Sequence, residues 1–357
     1  MSARKSQQLR DGLIIAIGVS LVAWLAVRYL PVFATGTQGL SDFRIANFSP
    51  PRPQNDDIVI LTITEDTLAT FPYRSPVQRK FLDGLLRHLD QLEPRAVGLD
   101  LIFDQATIAA EDELLWESMR SLRNPLIVAV GDRRAGFTTA QLDFQSKFLK
   151  GVPTGLANLP KEDGMIRSSF DGRAVDGNMI HSFAYRIASA AGVDPPGERL
   201  RLVYGRTDDG SPMFRQYPAH TAHLLPRDWL AGKIILVGAD LPQGDRHRSP
   251  LALGVGQSQT TTPGVVIHAY ILAQILDAST FHSLAAGLKT TNLLAMVLFG
   301  VLLAFSAMRL TFKLAAGAAI LGVFWYLGFA IYQGGGPMVP LLAPTLGFAL
   351  SLGIASA

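Results

Sequence analysis

The 357-residue chain contains no cysteine, which excludes disulfides, thiolate nucleophiles and cysteine-based metal sites. It has no GxSxG elbow, no GxxxxGK-Ser/Thr phosphate loop and no HExxH pair, so common sequence marks of hydrolases, phosphate-binding loops and zinc proteases are missing. Asp100 and Asp104 stand four positions apart, outside the two-residue spacing of a phosphatase nucleophile and its acid. His220 and His223 have no third ligand near them in sequence, so neither a metal nor a cofactor is expected. Basic residues do not run together with interleaved aromatics, the pattern that would mark nucleic-acid binding. Catalysis within residues 1–357 is therefore not expected.

What the chain does have is four long apolar segments, at 12–33, 290–308, 314–332 and 338–357. A hydrocarbon core of about 30 Å needs roughly 20 helical residues to span it, and each segment is near that length. Arg28 is the only charge in the first, and the last two have none. A cleaved secretory signal is the alternative for the first segment, because Val32-Phe33-Ala34 resembles a cleavage site. Arg28 and Pro31 stand between the apolar stretch and that site, which favours an uncleaved helix. The last three segments contain no charged residue to mark a solute path, so anchoring and signal transmission are expected of them.

Orientation follows from the basic flanks. Arg4, Lys5 and Arg10 lie in the tail 1–11, and Arg309 and Lys313 lie between the second and third segments, while 333–337 has no basic residue. Both ends of the chain are thus expected in the cytoplasm and residues 35–289 outside it, periplasmic or extracellular, on a multi-pass protein of the plasma (inner) membrane. Those five basic residues against Asp11 account for +4, leaving −1 of the net +3 for everything else. The basic balance is a topology signal.

The region 35–289 begins as alternating strand and helix. Asp57–Thr64 (DIVILTIT), Ala96–Phe103 (AVGLDLIF) and Pro125–Val130 (PLIVAV) read as buried strands, with helices at Ser75–Leu92 and Glu111–Leu122 between them. Strands joined by helical crossovers predict an α/β fold with a parallel sheet covered on both faces. Further on, Asn178–Ala191 reads as helix, Leu200–Tyr204 as a short strand, and Lys233–Val237 with Gly264–Asp277 as a closing strand and helix.

Ligands of such sheets sit beyond the carboxyl ends of the strands. The polar residues delivered there are Thr64, Glu65 and Asp66 after the first strand, Asp104 after the second, Asp132 and Arg133 after the third, and Asp240 with Asp245 and His247 after the last, with Asp100 inside a strand. An unpaired carboxylate in a strand is costly, so Arg74 or Lys80 is expected to pair with Asp100. Arg74 and Arg167 set against the acidic groups, with His268 one turn into the last helix, complete a candidate pocket for a small polar or cationic ligand. The competing expectation is that Asp and Thr here only cap helices and tie loops.

Several blocks carry a resemblance. Ile63-Thr64-Glu65-Asp66-Thr67-Leu68, Phe71-Pro72-Tyr73-Arg74, Gly98-Leu99-Asp100-Leu101-Ile102-Phe103, Asn158-Leu159-Pro160 and Asp163-Gly164-Met165-Ile166-Arg167 are followed by Gly232–Gly238, Asp245–Pro250 and Pro263–Ala269. In this order they resemble the second type of CHASE domain, a sensory extracellular module of cyclases and histidine kinases. Thr64 stands where that family usually has an acidic residue, and Phe71 and Tyr73 stand in place of tryptophans. The resemblance implies one membrane helix before the sensor and three after it, a homodimer, an unknown small-molecule ligand, and a cytoplasmic output. The output is expected to be an adenylate or guanylate cyclase, next a histidine kinase, either beyond residue 357 or on a partner protein.

Overall fold

In a computed structural model, residues 2–175, 178–256 and 260–356 are described, and they fall into two compact units, 1–50 with 282–357 and 51–281. The second unit is built on six parallel strands: β1 (Asn55–Ile63), β2 (Ala96–Asp100), β3 (Leu126–Val130), β4 (Thr154–Leu156), β5 (Phe214–Pro218) and β6 (Ile234–Ala239). Their order in the sheet is β5-β1-β6-β2-β3-β4, so the last strand slots between the first two. Both faces of the central strands are apolar. Val59, Leu61 and Ile63 join a core with Leu82, Leu86 and Leu89 of helix α4 (Arg79–Gln91) and Leu115 and Met119 of α5 (Ala109–Ser121). On β2, Gly98 admits α7 (Phe183–Ala190), because a Cβ there would come within 2.5 Å of Ile187 Cδ1. Helix α8 (Gly264–Leu276) packs against β1 and β6 and is buried along almost its whole length.

The sequence expectation of a covered parallel sheet is met, and three details differ. Residues 178–191 are not one helix: 178–181 pair with Gly172–Val175 as a hairpin, and α7 begins only after Ser182. Arg201 makes a single bridge to Ser168, and no strand forms over 200–204. Strands β4 and β5 have no aliphatic run to announce them. They are edge strands, short or polar, with Gly155 in one and Pro218 closing the other.

The first unit holds helices α1 (Ser2–Tyr29), α2 (Pro31–Phe48), α9 (Ala286–Ala304), α10 (Leu310–Gln333) and α11 (Leu342–Ser356). Among the described residues, α9 and α10 are long and apolar enough to cross a membrane. The stretch 12–26 qualifies only together with α2, and the pair is bent by 77°. Leu30 leaves the helical region, and Pro31 opens the new helix with its fixed φ. The last segment is helical over 15 residues, short of the four full spans expected from sequence. The second compact unit begins at Pro51, whereas the pattern of apolar residues sets the start of the region between the membrane segments at 35. The intervening α2 hides its role because it buries charge. Its Arg44 donates to the Gly328 and Val339 carbonyls at 2.6 and 2.7 Å and stacks over Phe329 and Tyr332. Small residues let the other helices meet: a Cβ on Gly300 would strike Ser351 Oγ at 2.1 Å.

Candidate functional site

The sequence-selected residues separate into two corners of the sheet's carboxyl edge and two outlying positions. At the end of β1, Thr64 caps α3 (Glu65–Ala69) in a reciprocal box: its hydroxyl accepts from the Thr67 N–H at 3.3 Å, and its own N–H donates to Thr67 Oγ1 at 3.2 Å. Thr67 Oγ1 also meets His220 Nδ1 at 2.8 Å. Glu65 and Asp66 fill the first turn, where carboxylates suit the helix dipole. Arg74 lies on Glu65 in an exposed pair, and Asp100 has no ion pair among the described residues, so the expected Arg74 or Lys80 partnership does not form. Asp104 accepts from Gln141 Nε2 at 2.7 Å. Arg167 is buried and ties its own hairpin, donating to the Glu162 carbonyl and to Met165 Sδ.

The second corner, at the ends of β2 and β6, brings Asp100, Asp245, His247 and His268 together. Asp100 closes β2 directly opposite Gly238 of β6. The loop after β6 returns through Asp245, whose backbone carbonyl accepts from the Gly264 N–H at 2.9 Å and whose Oδ2 sits where a Cβ on Gly264 would be. Only glycine opens α8 to a carboxylate in this way. His247 Nε2 bonds Asp245 Oδ1 at 2.7 Å, and His247 is largely enclosed while the Asp245 side chain is 59 % exposed. His268, one turn into α8, is buried edge-on to Phe183 at 5.1 Å.

This corner sets neighbouring groups to opposite protonation states. Burial, reinforced by the charge of Asp245, pushes the Asp100 carboxyl up to about 8. Burial would raise Asp245 too, but the bond from His247 and the nearby His247, His268 and Lys161 hold it below the usual carboxylate range. Burial pushes His268 down to about 4, against the pull of Asp245 and of the nearby Ala157 backbone. Near neutral pH the corner therefore offers a protonated acid, a carboxylate and a neutral imidazole, which together can donate to and accept from an uncharged polar group.

Beside it, Asn158 Oδ1, Ser182 Oγ and both ring nitrogens of His268 are buried without a hydrogen-bond partner. All three residues line one closed gap, sealed by Leu159, Phe170 and Ile271, that has no room for even a water molecule. Asn158 turns its other end outward, donating to Asp132 Oδ1 at 2.8 Å. Ser182 carries no sequence signal, since it is an ordinary serine between a hairpin and a helix, and Asn158 is visible only within its Asn-Leu-Pro block. Among the described residues no three His, Asp or Glu side chains stand close enough to hold a metal.

The family model described as the CHASE2 domain matches residues 19–306, most of the chain. No curated protein and no solved structure matches it. CHASE2 domains are sensory extracellular domains of cyclase and kinase receptors, a role in keeping with apolar helices near the end of the chain. The chain belongs to the CHASE2 domain family and is a membrane-associated sensor.

Proposed function

We propose that the chain is the input half of a transmembrane receptor. Its outer α/β unit binds a small polar ligand at the corner formed by Asp100, Asp245, His247 and His268, with Asn158 and Ser182. Occupancy changes the relative stability of two arrangements of the membrane helices in a homodimer, and that bias reaches a cytoplasmic output, an adenylate or guanylate cyclase first and a histidine kinase second. The observation that carries the ligand site is the convergence of unsatisfied buried atoms from Asn158, Ser182 and His268 on one cleft, which is closed to water-sized molecules as it stands and must open for a ligand to enter. Leaving such a group unpaired costs about 1–3 kcal/mol, so a ligand that satisfies several of them gains correspondingly. Coupling between such a site and an output is typically ~1–3 kcal/mol.

The topology behind this proposal is tested with reporters active on only one side of a membrane, one inserted after Gly210 and one fused after Ala357. Activity on opposite sides is the expected outcome, the Gly210 reporter outside. Reporters on the same side overturn the receptor reading.

A further inference from the structure

A larger cavity lies away from that corner, at the carboxyl end of β3 and the open edge of β4, walled by helix α6 (Thr139–Phe148) and by the paired segments Gly172–Val175 and Asn178–His181. Its volume is about 520 Å³, within the range of small-molecule sites.

Its walls are fixed from within. The buried Gln145 side chain clamps α6 to the end of β3, accepting from the Gly131 N–H at 3.1 Å and donating to the Gly131 carbonyl at 3.2 Å. Asp132 caps the following turn, and its carboxylate is fully used: it accepts from the Arg134 N–H at 2.9 Å, from Asn158 at 2.8 Å and from Arg173 at 2.8 Å. Arg173 is thereby neutralised. The guanidiniums of Arg133 and Arg134 are exposed at the same cavity and have no ion pair or hydrogen bond among the described residues. Opposite them the wall is apolar, with Val130, Leu142, Leu149 and Leu156.

Two unpaired guanidiniums above an apolar wall suit a ligand with one charged end and one greasy end. We infer that this cavity binds an organic anion, a carboxylate on an apolar body, held at its charged end by Arg133 and Arg134. The inference rests on the sensor reading for its biological use, but its chemistry is independent of the Asp100 corner. The Asp132–Asn158 bond joins the two places, since Asn158 also lines the cleft beside His268.

The test is calorimetric titration of the full chain in lipid nanodiscs with phenylacetate, using empty nanodiscs as the blank. Saturable binding near 1 mM or tighter is expected, weakened at least about tenfold in Arg133→Ala/Arg134→Ala and weakened by added salt. Arg133→Lys/Arg134→Lys should retain much of it, and Asp100→Asn and Ser182→Ala should retain all of it. Loss in those last two variants would move the ligand to the other corner and overturn the inference. So would the absence of saturable binding, unchanged binding in the double alanine variant at an unchanged melting midpoint, or equal binding of phenethylamine or inorganic phosphate. None of these results bears on whether the Asp100 corner senses a different ligand.

Discussion

The two corners of the carboxyl edge use similar residues to opposite ends. At β1, Thr64, Glu65, Asp66 and Arg74 are spent on a helix cap, a first turn and an exposed ion pair, and Thr67 extends the network to His220. At β2 and β6, burial pushes the Asp100 carboxyl up while the bond from His247 and nearby positive charge hold Asp245 down, and three neighbouring side chains keep polar atoms unpaired. A satisfied corner stabilises the fold, and an unsatisfied one has free energy left to give to a ligand.

The largest expected effect strikes the wall of the second corner. Gly155→Ala would put a Cβ 2.7 Å from the Phe183 Cα, a backbone atom, and so push α7 and Ser182 off the sheet. A loss of about 2–3 kcal/mol is expected in denaturant melts of the full chain. A neutral result would mean that the cleft is loosely built.

Next comes pH. Asp100 holds its proton up to about 8 when folded against 3.8 as a free group, so its contribution falls as pH rises through that window. His268 drops from 6.5 to about 4, so the unfolded chain binds more protons between those values and stability falls as pH falls there. The two oppose each other from about 4 to 6.5. A net loss on the order of 2 kcal/mol remains as pH rises from 6.5 to 8. Melting midpoints across that range should show it in the wild type and not in Asp100→Asn; an identical slope in both would remove Asp100 from the account.

At the first corner the expected effects are smaller. Thr64→Ala loses one cap, worth about 1 kcal/mol. Arg74→Ala breaks an exposed pair and should change stability by less than about 1 kcal/mol. A larger effect of Arg74→Ala would give that side chain work beyond its contact with Glu65.

Much of this was legible from sequence because the relevant residues sit in long buried runs. The aliphatic stretches of β1, β2, β3 and β6 pack on both faces, so their hydrophobicity is continuous and easily seen. Edge strands β4 and β5 lack that signal. Helix α2 was obscured by Asp42 and Arg44, which look like surface residues until Arg44 meets carbonyls almost 300 positions away. At the site, Asp100, Asp245, His247 and His268 stood out by type and by strand end, and they converge. Arg74 did not join them, because Glu65, nine positions away, captures it. Ser182 had no signal at all, since its importance lies in what its hydroxyl fails to meet.

The central claim is tested most directly by the melting midpoint of the full chain in nanodiscs against a panel of small uncharged polar metabolites, with wild type, Ser182→Ala/His268→Phe and Thr64→Ala in parallel. At a hundredfold excess over Kd, a binder should stabilise the wild type and Thr64→Ala by roughly 2.7 kcal/mol and leave the double variant unmoved. A stabiliser that acts equally on the double variant, or a panel in which nothing stabilises the wild type, would contradict the account.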